Sequence, residues 1–150
     1  MYPDLFIRKT REVKILSVIK SERKVSEMEF LANARKLQIY TIKKCANFPK
    51  RYNFYISTPL AAISTRIHEH VKIGNSIYPT NESEYQLRRE QFIMANAELQ
   101  NLISQIEVAS EIFGIEAKTM EYWMSIVKKE IALIKSVIRK DKERLKDIKQ

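Results

Sequence analysis

The side chains that chemistry would draw on are few and badly placed for it. His68 and His70 stand two residues apart. On a helix that spacing turns them about 200° away from one another, so they cannot share a metal as residues four apart do. They read as solvent-facing or corner histidines. Cys45 is the only cysteine and has no histidine near it in sequence. It falls on an apolar stripe and reads as a small core residue rather than a nucleophile. Glu107 and Glu111, four apart, share a helix face as the carboxylates of metal-binding bundles do, but the Glu-x-x-His companion of such sites is missing, so they read as a solvated face. The two glycines stand alone and form no phosphate-cradling loop. The expectation is no enzyme, no metal and no cofactor.

The cations are the better candidates. The formal net charge is +9 with a pI near 9.6, which favours anionic partners. It is unevenly spread: residues 1–51 hold 13 basic and 5 acidic side chains, 52–116 hold 4 and 8, and 117–150 hold 10 and 5. Two groups stand out, Lys43, Lys44, Lys50 and Arg51 in the first basic block, and Arg139, Lys140, Lys142 and Arg144 within the basic stretch from Lys135 to Lys149. Lysine and arginine in this pattern contact phosphates, which gives binding to RNA or DNA with steep salt dependence and little sequence preference. The competing reading is that these charges solubilise the chain or dock an acidic protein partner without nucleic acid. Lys43 and Lys44 also suit the negative end of a helix dipole. Phe48, Tyr52 and Phe54, beside the first group, serve either as stacking faces for unpaired bases or as a plug for the end of the core. Trp123 reads as core or subunit interface rather than a ligand contact.

The elements that must position these residues are helices. Two glycines and four prolines are too few turn-formers for strands, which need a turn every 8–12 residues or so. An all-α chain follows, an antiparallel up-down-up-down four-helix bundle spanning 26–138, with a basic N-terminal arm or extension over 1–25 and a charged helical tail over 139–150. Ser26 with Glu29 has the capping-box pattern for a first helix carrying Phe30, Ala34, Leu37, Thr41 and Cys45 on one face. Pro49 ends it near Ala46 or Asn47. Thr58-Pro59 restarts a second helix, lined by Leu60, Ile63, Ile67 and Val71, and Gly74-Asn75 stops it in a left-handed turn. A third runs from Asn81 or Ser83 to the stop at Gly114, with Leu99, Leu102, Ile103, Ile106, Ala109 and Phe113 as its buried face. Met120, Trp123, Val127, Ile131, Ile134 and Ile138 line the fourth. Lys14 to Lys20 holds a short β-branched run with no second strand to pair with. No apolar run reaches the roughly 20 residues of a bilayer span, no signal-peptide pattern opens the chain, and a lone cysteine suits a reducing compartment, so a cytoplasmic protein is expected.

The order of segments also carries a resemblance. A first helix running into Phe48-Pro49-Lys50, an aromatic and basic corner, and three more helices with an early tryptophan in the last, Trp123, together resemble the small four-helix-bundle family of diversity-generating retroelement accessory variability determinant (Avd) proteins and ribosomal-RNA intervening-sequence proteins. The similarity covers about residues 26–138. It implies a basic, non-catalytic bundle assembled as a homopentamer that binds nucleic acid and a reverse transcriptase and supports error-prone complementary-DNA synthesis.

Overall fold

The computed structural model describes residues 25–149, with side chains from Glu29 onward. These residues form a helical bundle of four helices, α1 (Val25–Ala46), α2 (Thr58–Ser76), α3 (Glu82–Phe113) and α4 (Ala117–Lys149), with no strand among them. Nearly all of the expected arm over 1–25, including the run from Lys14 to Lys20, lies outside the described residues. Among those residues no helix is long and apolar enough to cross a membrane.

The apolar stripes meet in one core. Phe30, Ala34, Leu37 and Cys45 of α1, Leu60, Ile63, Ile67 and Val71 of α2, Leu99, Leu102, Ile106 and Ala109 of α3, and Trp123, Val127 and Ile134 of α4 are all buried. The rings of Phe30 and Phe92 meet edge to face at 5.7 Å across it. α1 and α3 each pack on α2 and α4. Gln38 bonds Thr65, and Ser57 reaches back to Cys45. Arg66 meets Glu98, Arg88 meets Gly74, Thr41 meets Trp123, and Asn33 meets Glu130. Between α2 and α3, and between α1 and α4, these contacts advance along one partner as they recede along the other.

Several helix boundaries differ from expectation, each for a visible reason. The chain is already helical at Val25, so Ser26 lies inside α1 rather than ahead of it. Thr58 is not a cap, because the corner before it is itself wound, as a 3-10 turn over Lys50–Tyr52 and a π turn over Asn53–Ser57 that runs into α2. Gly74 is not a left-handed stop. α2 continues to Ser76, and Gly74 is instead the point where Phe92 lies so close that an added Cβ would stand 2.7 Å from its ring. Asn81 does cap α3, its side chain accepting from the Glu84 amide at 3.0 Å. Gly114 ends α3 with φ of 75°, where glycine is favoured. α4 runs unbroken across the expected boundary between 138 and 139, and the first turn beyond it is packed, with Asp141 buried.

Candidate nucleic-acid interface

At the first corner the cations sit on exposed or half-buried backbone turns, and residues 43–59 contain no acidic side chain. Lys43, Lys50 and Arg51 are exposed and Lys44 is half-buried. Two are held by rings: Lys44 lies over Tyr40 at 5.3 Å and Arg51 over Tyr52 at 5.1 Å. The neighbouring aromatics divide into two sets. Phe48 packs on Phe113 and Trp123, and Tyr52 stacks on Phe113 at 5.5 Å, so these two close the end of the core. Phe54, expected beside them, points away: it is 79% exposed and Tyr55 73%, and the two meet edge to face. The π turn advances the chain by five residues per hydrogen bond and carries both rings past the core.

The second group lies elsewhere. Trp123 marks the corner's level on α4, and Arg139 is sixteen residues further on, about 24 Å along the helix. The two groups therefore do not form one patch. The second is also divided. Arg139 and Lys142 are exposed on the flank of α4 that faces α3, while Lys140 is half-buried and Arg144 lines a cavity of about 190 Å³ with Asn75, Tyr78 and Tyr85 on another side.

What the sequence reading missed is how far that flank extends. Lys128, Lys135, Arg139, Lys142, Lys146 and Lys149 follow one another at intervals of seven, four, three, four and three, and all are exposed. Those intervals keep the six within an arc of about 80° on an α-helix, a ridge some 31 Å long. Beside its last three turns only, between α3 and α4, lies a groove of about 350 Å³, with Arg89 and Glu82 on its α3 wall and Tyr85, Ile138 and Leu145 on its floor. The signal was present as the spacing of lysines, but a boundary placed after Ile138 cut the row in two.

The remaining candidates are accounted for by packing. His68 Nδ1 lies 2.7 Å from Gln38 Oε1, and His70 Nδ1 2.8 Å from Gln91 Oε1, so each histidine is half-buried between helices rather than open to solvent. Burial pushes the Cys45 thiol up to about 11, which keeps it protonated. Trp123 is fully buried, its indole N–H donating to Thr41 Oγ1 at 3.1 Å. Glu107 and Glu111 are both exposed. No three His, Cys, Asp or Glu side chains gather as metal ligands among the described residues. Compared with family models, curated proteins and solved structures, the chain matches none.

Proposed function

We propose that this chain is a non-catalytic accessory scaffold of a diversity-generating retroelement, a cytoplasmic, basic, homo-oligomeric protein that holds RNA or DNA beside a reverse transcriptase. Its fold in this reading is the antiparallel up-down-up-down bundle, which the opposing order of contacts between α2 and α3 and between α1 and α4 supports. The observation that carries the nucleic-acid part is the α4 ridge. Six cations along about 31 Å cover the axial rise of some nine base pairs, about one duplex turn, and a helix presents them without base-reading geometry. The corner cations Lys50 and Arg51 supply a second contact point. The reverse transcriptase and the pentameric assembly rest on the resemblance carried by Phe48-Pro49-Lys50 and Trp123.

The test is a titration of the full chain with a mixed-sequence RNA–DNA hybrid at several salt concentrations. Engagement of five or six phosphates gives log K a slope near −5 against log salt, by about −0.9 per contact. Reversing Lys135, Arg139 and Lys142 to glutamate abolishes binding at moderate salt, and reversing Lys50 and Arg51 weakens it, both with helicity unchanged. Binding that ignores these changes refutes the assignment. The apolar floor of the adjoining groove favours one other reading, in which the ridge docks an acidic protein surface. In that case free nucleic acid does not bind at moderate salt.

A further inference from the structure

α1 and α3 carry opposite charge on faces that also expose apolar side chains. From Leu31 to Ala46, α1 holds Arg35, Lys36, Lys43 and Lys44 and no acidic residue; from Glu90 to Phe113, α3 holds Glu90, Glu98, Glu107 and Glu111 and no basic one. Glu98 is occupied by Arg66 at 3.1 Å, while Glu90, Glu107 and Glu111 are exposed. Along α3 the outward stripe is Leu87, Met94 and Val108, in step with a seven-residue repeat whose third member is Asn101, and Ile112 continues it. Those four hydrophobes are 41–53% exposed, far more than solvation of a helix requires. The stripe supplies one apolar position per heptad, half of a coiled-coil seam, with one asparagine in it, and Ile112 adds a second position beside Val108. α1 presents Ile39 and Ile42 between its cations, beside a groove of about 310 Å³ lined by Ala32, Arg35, Lys36 and Lys43.

The two faces lie on opposite sides of the molecule. α1 and α3 both pack on α2 and α4 and meet one another through the core, as Phe30 and Phe92 do, so their outer faces point apart. We infer that the outer face of α3 in one copy docks on the outer face of α1 in the next, a head-to-tail contact between copies of this chain. Both halves of the complementary pair stand on one chain, so the partner they fit is a second copy. Pairing α3 with α3 would set Glu90 and Glu111 against other carboxylates, whereas α1 from Leu31 to Ala46 offers only cations. A contact of this kind, repeated, makes a ring where the rotation closes and a filament where it does not. The inference rests on the proposed function only in taking the chain to self-associate.

The experiment is the mass of the full chain by light scattering over a concentration series, without nucleic acid, with helicity measured alongside. Arg35→Glu with Lys36→Glu makes the α1 face acidic, and Glu90→Lys with Glu111→Lys makes the α3 face basic. Each pair, all at exposed positions, raises the concentration at half-dissociation by at least about tenfold. All four reversals in one chain restore the match and bring assembly back. Single-face variants that assemble as the parent does, or a four-fold variant that stays apart, overturn the inference. They leave the nucleic-acid reading intact, since that is read from the salt slope. A parent chain that remains monomeric overturns both this contact and the proposed oligomer.

Discussion

The bundle is closed by opposite means at the α1–α2 corner and at the α2–α3 turn. At the corner the closure is apolar: Phe48 on Phe113 at 4.7 Å, Tyr52 stacked on Phe113, and Trp123 beneath them. Beyond the α2–α3 turn it is charged. Arg88 donates to Asp141 Oδ2 at 2.7 Å and to the carbonyls of Gly74 and Ile77 at 3.3 and 3.2 Å, joining the last turn of α2, the first turns of α3 and the end of α4 through one guanidinium. A ring that loses one neighbour keeps its others, and its surroundings relax into part of the gap. A buried cation that loses its anion keeps its desolvation cost, which for Arg88 the two carbonyls offset only in part because neither carries a full charge. The corner should therefore degrade by degrees and the charged clasp all at once.

The largest effect is expected at the clasp. Asp141→Ala leaves Arg88 buried without a counter-charge and costs about 3–5 kcal/mol, measured by urea denaturation of the full chain. Replacing both partners, Arg88→Met with Asp141→Leu, recovers most of that. A loss below about 1 kcal/mol for the single change breaks the comparison. At the corner, Phe113→Ala costs about 2–3 kcal/mol because the ring is half-buried, and Phe113→Leu less than about 1.5. If both substitutions cost as much as Asp141→Ala, the plug is no more forgiving than the clasp.

A second buried acid on α4 sharpens the point. Glu130 is fully buried eleven residues before Asp141, and its partner is neutral: Asn33 donates to Glu130 Oε2 at 2.8 Å. Its other oxygen has no hydrogen-bond partner. Burial pushes this carboxyl up to about 8, against the pull of the Asn33 amide. Below about pH 4.5 the folded and unfolded chains both hold the proton. As pH rises from there towards 8 the unfolded chain has released it and the folded chain has not, so stability falls, by up to about 1.4 kcal/mol per pH unit. Above 8 the contribution is gone. Glu130→Gln removes that slope, which urea midpoints at pH 5, 6.5 and 8 will show. A slope unchanged by the substitution means that other groups carry it.

The core stripes of α1 and α2 and the second half of α3 were legible because each is apolar at intervals of three and four. The first half of α3 was not. There Tyr85, Arg88 and Phe92 are buried, and an arginine among them hides the stripe unless Asp141, 53 residues on, is known to receive it. The same substitution explains the end of α4. Ile134 and Asp141 occupy the same side one heptad apart, so the apparent loss of the apolar seam after Ile138 is a charged residue standing in a buried place. Cation types were readable from the sequence, and so was a helical end to the chain. Their grouping was not, because it depends on residues 139–149 packing against α3 as part of α4 and on the corner being wound rather than extended.

The smallest expected effect is the most discriminating. Two turns beyond Asp141, Lys149 pairs with Glu82 at 2.9 Å, joining α4 to α3 as the clasp does, but both side chains are more than half exposed. Water already solvates each charge, so Lys149→Ala removes little attraction and leaves nothing desolvated, and stability changes by no more than about 0.5 kcal/mol. A cost near that of Asp141→Ala would mean that charge across α3 and α4, rather than its burial, holds this end together. The same variant also tests the ridge, of which Lys149 is the last member. If Lys149 meets a phosphate, its loss lowers the salt slope of nucleic-acid binding by about 0.9 while the urea midpoint stays where it was. A residue that moves one of these readings and not the other separates what α4 does for the fold from what it does for a ligand.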